Sequence, residues 1–581
     1  MVPASSSRLP ASPNTLRTCG SRFDGLPDVV ELADDYWDYY RGSAQLWNID
    51  RGDVDQIDCW EDLSPDGVAT RLDRLAAFSS RACRLATDEL TERDRGLLAA
   101  VQFSAEATTA LLPFERDLAL VAGPFNFAAF VSVLIPGYAL ASAEHGRGYV
   151  AKLRSMPSFV EGWINGIGDG AAAGRVATAR GISAAIAAYD ALLGRDLADD
   201  PLASQEPPSE LSADEVLAWR ADVADAIRQS ARPALAQLRT FLHDALLPVG
   251  GADDRPGVCH MPGGDEAYAR LLWASTSTAL TPDAVHQLGM DQLALLDDEY
   301  RELGPPTLGI EDPAEVRERL RQDPSLRYSA AEEIISDAMA CLARAEAAVP
   351  GWFTRLPRSA CNAVAATSGA MAYYTGPSPD GRRGGQYYFN TGDPSAWTRY
   401  QLEVTTFHEA VPGHHTQLAL AQEYGLHPVV GELEVTSYGE GWGLYAERLA
   451  DEMGLYSSAL QRIGMVTLDS LRATRLVVDT GIHAMGWTRQ RAIDFLLAST
   501  PMDQRNAETE VDRYIAQPGQ ATTYMVGRLE IQRLRRHAEQ RLGARFDIKK
   551  FHDVVLANGM TPLGQLARNV DVWVERETAI T

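Results

Sequence analysis

The chain has little cysteine, and this shortage excludes two classes of protein. Its six cysteines are far apart in the sequence, and no two of them form a Cys-x-x-Cys pair. Such usage argues against a scaffold held together by disulfides and against a zinc site built from thiolates. It is typical of reduced thiols, so we expect a cytoplasmic protein.

Positive charge and long apolar runs are also scarce. Lys and Arg together number 53 against 79 Asp and Glu, which gives a formal net charge of −26. An acidic surface of this kind repels nucleic acid and anionic membranes. The most apolar segment, 118–141, is broken by Gly and Pro before it reaches the ~18 residues of a membrane span. We expect neither nucleic acid nor a membrane as a partner, and the Pro/Ser-rich N-terminus does not resemble a signal peptide.

Helical periodicity dominates what the sequence does contain. Apolar residues recur at helical spacing over 212–247, 283–303 and 330–348, with Gly and Pro between such stretches. Thr281 before Pro282 is typical of a helix start, with Thr281 as the N-cap. The aromatic segment Gln386–Asn390 predicts a short strand. The fold class is therefore predicted as mainly α, with a small β element just before the helix that carries the metal motif.

The domain organisation is predicted from composition. Residues 1–20 are rich in Pro and Ser and are expected to form a disordered tail. No reliable boundary interrupts 21–581, so we expect one helical catalytic unit whose two halves face each other across a deep cleft. The chemically informative residues cluster in 380–530. The sequence does not indicate an oligomeric state.

The segment TTFHEAVPGHHTQLAL, which begins at Thr405, carries the strongest chemical signal. Zinc peptidases commonly place two His at i and i+4 of one helix, with a Glu after the first His as general base. Here His408 and Glu409 are present, but the i+4 position is Pro412. On an intact helix His415 would lie about 10 Å beyond His408, too far to share one ion. Pro412 and Gly413 allow the chain to bulge, so His414 or His415 can be the second ligand.

A neighbouring helix is expected to supply the third ligand. Glu440 follows His415 by 25 residues, close to the interval typical of glutamate-ligand zinc peptidases. Glu434 lies within the same range on a less clear pattern. Glu447 is seven residues beyond Glu440 and on the same helix face, so we predict that it orients a ligand His.

These segments together resemble the large bacterial family called domain of unknown function 885 (DUF885), which carries an HExxPGHH signature. The similarity is strong from residue 260 to the end and extends into the N-terminal half. The matching blocks are His408–His415, Gly385–Thr391, Tyr438–Glu447, Arg475–His483, Gly486–Thr488, Arg513–Tyr514, Pro518–Tyr524, Phe551–Gly559 with Pro562–Leu563 and, more weakly, Leu280–Gly289. The resemblance implies a helical, thermolysin-superfamily-like metallopeptidase fold around a deep channel.

Further roles follow from this resemblance. Tyr524 is the candidate donor to the oxyanion, because related peptidases place a Tyr or His downstream of the zinc helices; His483 is the alternative proton donor. Arg528, one turn beyond Tyr524, is expected to face the same cleft. Tyr388 lies in the predicted strand, which is expected to bind an extended peptide by strand addition.

The expected function is hydrolysis of amide bonds in short peptides, with one zinc ion as cofactor and Glu409 as general base. One alternative is a metal-dependent amide or C–N hydrolase acting on a non-peptide, biosynthetic metabolite. A second alternative is an inactive binding or scaffold protein that keeps the fold. Substrate identity and endo- or exo-action are not indicated by the sequence, because a fold does not define a substrate.

Overall fold

A computed structural model describes residues 26–43, 57–87, 89–123, 126–378 and 381–579. The predicted tail, 1–20, lies outside the described residues. Within them the protein is mainly helical and has one small sheet, which confirms the predicted fold class. The deep cleft and the single catalytic unit stay predictions.

Thirteen α-helices precede the sheet in the part of the chain that the structure describes. Their bounds are α1 Pro27–Ser43, α2 Pro65–Leu85, α3 Glu92–Phe114, α4 Leu120–Ala122, α5 Phe127–Ala129, α6 Ala143–Ala172, α7 Ala179–Leu193, α8 Ala213–Ala226, α9 Arg232–Phe241, α10 Gly264–Thr276, α11 Pro282–Leu308, α12 Pro313–Gln322 and α13 Ala331–Ala348.

The sheet and ten further helices follow. Their bounds are β1 Cys361–Ala366, β2 Ala372–Thr375, β3 Gly385–Asn390, α14 Leu402–Glu409, α15 His414–Glu423, α16 Pro428–Gly431, α17 Thr436–Glu452, α18 Ala459–His483, α19 Arg489–Ser499, α20 Gln504–Ala516, α21 Thr523–Leu542, α22 Ile548–Leu556 and α23 Leu563–Ala579.

Helix α11 shows how local chemistry sets these bounds. Thr281 is its N-cap, and the Thr281 side chain accepts a hydrogen bond from the Ala284 N–H, as predicted. The predicted helical stretch 283–303 ends too early, because the helix continues through Pro305 and Pro306 to Leu308. It ends at Gly309, whose positive φ of 71° suits glycine.

The buried apolar residues form two main cores. One core is built from 57–246 and contains most of α4 to α9. The other lies mainly within 272–574 and includes α11, α13, α14, α17 and α21. The close packing of α11 on α18 and of α17 on α21 builds this second core. The candidate metal centre lies on its helices, so the site is held by rigid, buried elements.

The segment Glu92–Ala122 is long and apolar enough to cross a membrane by length and composition alone. It contains α3 and α4, and a single π turn joins the two helices. Helix α3 packs against α1, α2, α10 and α16. Burial against these helices accounts for the apolar residues of α3.

Candidate metal centre

The chain breaks its helix just after the first metal-motif histidine. Helix α14 ends at Glu409, the four residues 410–413 leave helical geometry, and α15 begins at His414. A cis peptide bond joins Val411 to Pro412. A Cβ atom on Gly413 would lie 1.8 Å from the carbonyl oxygen of His408, so only glycine fits this close approach. The predicted local distortion is therefore a complete interruption between two helices.

This interruption brings two imidazoles together across the break. The rings of His408 and His414 lie 4.7 Å apart between centroids and are almost perpendicular, at 87°. The indole N–H of Trp442 donates to the carbonyl oxygens of Pro412 and Gly413, at 3.1 and 3.2 Å. Helix α17, which also carries Glu440, therefore holds the turn in place through Trp442.

Glu440 completes a group of three ligand atoms. Its Oε2 atom lies 3.3 Å from Nε2 of His408 and 3.8 Å from Nε2 of His414. One ligand atom from each of the three residues lies within 4.8 Å of the other two. Ligand atoms about 2.0–2.2 Å from a tetrahedral zinc ion are about 3.3–3.6 Å apart. The observed separations therefore fit a single cation.

The hydrogen bonding of Glu440 supports the same interpretation. Its Oε2 atom is buried and makes no well-aligned hydrogen bond with the described residues, although both imidazoles lie within 3.8 Å of it. A buried charged oxygen without a well-aligned hydrogen bond is costly. A cation bound between the two imidazoles and this oxygen would remove that cost, so the donor set fits a metal.

A second carboxylate orients the first imidazole. Glu447 is fully buried, and its Oε1 atom accepts a hydrogen bond from Nδ1 of His408 at 2.8 Å. This contact leaves Nε2 of His408 facing Glu440. Gly443 makes room for the ring, because a Cβ atom there would lie 2.5 Å from Cε1 of His408. His414 is oriented by a longer contact of 3.4 Å between its Nδ1 and Oε1 of Gln417.

The electrostatics of the group favour a positive charge at its centre. Burial alone would raise the pKa of Glu440, but the two imidazoles hold it well below its usual range. Burial alone would lower the pKa of His408, but Glu440 and Glu447 raise it to about 10. The carboxylates thus attract a positive charge, which either protons or a divalent cation can supply.

His415 does not join this group. Its Nδ1 atom lies 2.9 Å from the Tyr374 hydroxyl, and its Nε2 atom lies 3.1 Å from the carbonyl oxygen of Ser359. The side chain is buried, and burial lowers its pKa to about 4. Both ring nitrogens are therefore engaged away from Glu440, and His414 is the second candidate ligand.

Two predicted catalytic side chains lie beside the candidate ligands. Burial raises the pKa of Glu409, although His408 and His414 oppose that rise. The carboxylate of Glu409 makes no hydrogen bond with the described residues. Burial raises the pKa of Tyr524 to about 12, and the nearby Glu440 adds to this rise. A neutral hydroxyl and an unengaged carboxylate therefore lie close to the candidate ligands.

His483 was predicted as an alternative proton donor, and its contacts argue against that role. Its Nδ1 atom accepts from the Val258 N–H at 3.2 Å, and its Nε2 atom donates to the carbonyl oxygen of Tyr514 at 3.0 Å. The ring is fully buried, and burial lowers its pKa to about 4. With both nitrogens bonded to the backbone, His483 joins three chain segments and has no proton to offer to a substrate.

Arg528 was expected to face the cleft, and this expectation is wrong for physical reasons. Its side chain is 3% exposed and pairs with the buried Asp469 at 2.6 Å. A longer hydrogen bond of 3.2 Å joins it to Gln292. Asp469 is also bound by Arg448, so Arg528 belongs to a buried ion-pair network between helices.

The predicted strand forms, but its proposed peptide contact does not fit. Strand β3 lies in the middle of the sheet, parallel to β1 and antiparallel to β2. Both of its edges are therefore occupied, so strand addition at β3 is excluded. Tyr388 stacks on Tyr373 with centroids 4.7 Å apart and donates to Gln386. Its described contacts therefore lie within the sheet.

Sequence reasoning assigned no role at the site to three residues that lie next to it. Trp442 and Gly443 lie within the EGWG segment, which was noted for its carboxylate alone. Gly443 lies between two bulky residues in the sequence, and a glycine in such a position commonly marks close packing. This pattern could have indicated that another side chain packs against Gly443. Arg472 was also missed, three residues before the block that begins at Arg475.

Two solved structures resemble the chain over nearly their whole length. A candidate lipoprotein from Colwellia psychrerythraea matches with a TM-score of 0.84 and 24% identity, covering 94% of this chain and 99% of that one. A candidate lipoprotein of unknown function from Shewanella oneidensis matches with a TM-score of 0.72 and 17% identity, covering 93% and 99%. These likenesses show the fold alone.

The family comparison covers most of the chain. No curated protein matches this chain. Residues 46–570 match the family described as bacterial proteins of unknown function, DUF885. This span includes the candidate ligands and the segments that carried the resemblance in the sequence. The chain therefore belongs to the DUF885 family.

Proposed function

We propose that this protein is a zinc-dependent hydrolase that cleaves amide bonds in short peptides. The main support is the convergence of His408, His414 and Glu440, with the unengaged carboxylate of Glu409 beside them. Two imidazoles and one carboxylate are a ligand set of catalytic zinc sites, which keep a fourth position for water. Structural zinc sites instead use four protein ligands.

The roles of the side chains follow from elementary acid–base chemistry. A zinc ion bound here would lower the pKa of a water molecule toward 7 and polarise an amide carbonyl. Glu409 accepts the proton of the attacking water and returns it to the leaving amine. Burial raises the pKa of Glu409, which makes its carboxylate a stronger base for this proton transfer. Tyr524, which stays protonated, donates a hydrogen bond to the developing oxyanion.

The test uses the full chain loaded with zinc and a library of dipeptides and tripeptides, with products read by mass spectrometry. We expect cleavage by the wild type and a loss of turnover in Glu409→Gln, roughly 10²–10⁴-fold for a missing general base. Glu409→Gln should keep its zinc, because the substitution leaves the three candidate ligands intact. The matched control is Glu332→Gln, at an exposed position of α13.

Three other outcomes would contradict the proposal. A zinc-loaded wild type that cleaves no peptide but hydrolyses a non-peptide amide would favour the biosynthetic alternative. A protein that binds no zinc, or an equally active Glu409→Gln, would favour a scaffold or a different mechanism.

The cellular location is part of the same proposal. The five cysteines among the described residues are free, as a reducing cytoplasm allows. The lipoprotein descriptions of the two solved relatives favour an envelope location instead. Fractionation of cells that express the full-length protein decides between them: recovery in the soluble cytoplasmic fraction supports the cytoplasm, and recovery with membranes contradicts it.

A further inference from the structure

Arg472 is a buried cation beside the candidate metal centre that is poorly satisfied by its own protein. It lies on α18 with a side chain only 11% exposed. Its Nε atom is buried and has no hydrogen-bond partner among the described residues. One terminal nitrogen reaches the carbonyl oxygen of Leu468 at 3.4 Å, and the other lies 3.7 Å from Oε1 of Glu447. A guanidinium has five N–H donors, and here they are engaged at long range or not at all.

Glu447 does not satisfy this guanidinium. The Oε1 atom that lies nearest to Arg472 already accepts the hydrogen bond of His408 at 2.8 Å. A separation of 3.7 Å is too long for a hydrogen bond. The other oxygen of this carboxylate, Oε2, is buried and has no hydrogen-bond partner among the described residues. Arg472 and Glu447 are therefore a loose ion pair whose hydrogen bonding is incomplete on both sides. Because incomplete hydrogen bonding of a buried charge is costly, an additional acceptor for Arg472 would stabilise the arrangement.

The neighbouring arginines are paired in the usual way. Arg475 and Arg513 both contact Glu510, at 3.0 and 3.1 Å. Arg475 also donates to the Tyr514 hydroxyl at 3.1 Å. Arg472 therefore differs from both neighbours, because it has no acceptor at hydrogen-bonding distance other than a backbone carbonyl.

Arg472 also lies beside the groups assigned to chemistry. Its guanidinium carbon is 5.9 Å from the ring centroid of Tyr524, and that of Arg475 is 4.8 Å from the same ring. Its positive charge is also close enough to interact electrostatically with the carboxylate of Glu409. A ligand bound to Arg472 would therefore lie near both Glu409 and Tyr524.

We infer that Arg472 binds a carboxylate of the substrate, so that the preferred substrates are amides that carry a free carboxylate close to the scissile bond. The inference rests on the proposed hydrolase function and specifies its substrate class. A guanidinium binds a carboxylate through two parallel N–H donors, and the unpaired Nε is one member of such a pair. Arg472 is thus a binding residue of the site.

The competing explanation is that Arg472 balances the charge of Glu447. In that case its loss would weaken the orientation of His408 and reduce zinc affinity and turnover alike for every substrate. Carboxylate binding predicts a selective effect instead. The two explanations therefore differ in whether the defect depends on the charge of the substrate.

The experiment compares Ala-Ala-Phe with its C-terminal amide on the zinc-loaded full chain. We expect the wild type to prefer the free acid, and Arg472→Gln to raise KM and lower kcat/KM for the acid by roughly 10- to 100-fold. The amide should change less than about threefold. Arg472→Lys should recover part of the loss, because it keeps the charge but lacks the planar fork. Arg462→Gln, at the more exposed Arg462 on the same helix, is the matched control.

Equal losses for acid and amide, or no loss for either, would overturn the inference. Zinc content and thermal unfolding of each variant are measured alongside, and Arg472→Lys provides the test if Arg472→Gln does not fold. An N-acetylated, amidated tripeptide with a central Glu separates the two sources of the carboxylate. Cleavage of this peptide that depends on Arg472 supports a side-chain carboxylate, and cleavage of the free acid alone supports a terminal one.

A binding measurement separates this inference from the proposed function. Calorimetric titration of zinc-loaded Glu409→Gln with the same two tripeptides requires no turnover. If the wild type cleaves nothing, the proposed function fails, and the binding result alone decides the role of Arg472. Binding of the acid at least about tenfold tighter than the amide, lost in Glu409→Gln/Arg472→Gln, supports the inference, and equal binding overturns it.

Discussion

Adjacent histidines with opposite predicted roles provide a sharp perturbation of the site. His414 lies opposite His408 and 3.8 Å from Oε2 of Glu440. His415, the next residue, turns to the Tyr374 hydroxyl and a backbone carbonyl. Replacing each by Ala removes the same chemical group from positions one residue apart. We expect His414→Ala to weaken zinc binding. We expect His415→Ala to lower the free energy of unfolding without changing the zinc affinity of the folded protein.

The magnitudes follow from the contacts that each ring makes. Binding of structural zinc contributes roughly 10–16 kcal/mol over four ligands, so one lost imidazole corresponds to about 3 kcal/mol, or roughly a hundredfold in affinity. His415 makes two buried hydrogen bonds, each worth about 0.5–1.5 kcal/mol. Its loss should lower the free energy of unfolding by about 1–3 kcal/mol and leave the zinc affinity of the folded protein unchanged.

Zinc affinity is measured by competition with a chromophoric chelator, and stability by urea denaturation of the metal-free protein. The wild type and both variants are compared at one pH. A folded His415→Ala that loses zinc, together with a His414→Ala that retains it, would refute the assignment of the second ligand.

Three further predictions concern the groups that support the site. Glu447→Gln should weaken zinc binding about 10- to 100-fold, the usual cost of removing the group that orients a ligand His, as measured by the same chelator competition. Gly443→Ala should lower zinc affinity because its Cβ would meet the His408 ring, whereas Gly439→Ala, where the nearest atom is 3.9 Å away, should not. Burial raises the pKa of Asp479 to about 7 from an ordinary 3.8. The stability that the protonated Asp479 contributes is therefore lost as pH rises from about 4 to about 7. Asp479→Asn should flatten that part of the pH profile of thermal unfolding.

Much of the fold was predictable because its signals are local. Helical periodicity and the cap at Thr281 correctly placed the start of α11. The same local reasoning ended that helix too early at residue 303, because the helix continues through Pro305 and Pro306 to Leu308. Strands β1 and β2 were missed, since six and four residues flanked by loops give too short a pattern.

The candidate site was predictable in its composition but not in its geometry. The spacing of His408, Glu409 and Glu440 indicated the types of the ligands and of the general base, and Pro412-Gly413 predicted a departure from helical geometry. The choice between His414 and His415 depends on the turn at 410–413 and on the partners of His415 in distant segments. Such contacts are long-range, so a single sequence does not reveal them. The same limit explains the wrong expectation for Arg528, whose partner Asp469 lies on another helix.

The central claim is that three side chains hold one divalent cation, and diffraction at the zinc absorption edge tests it most directly. Crystals of the zinc-loaded protein should give one anomalous peak bound by Nε2 of His408, Nε2 of His414 and the Glu440 carboxylate, at about 2.0–2.2 Å from each. No peak among these atoms in crystals soaked with zinc, or a peak held by other residues, would contradict the account.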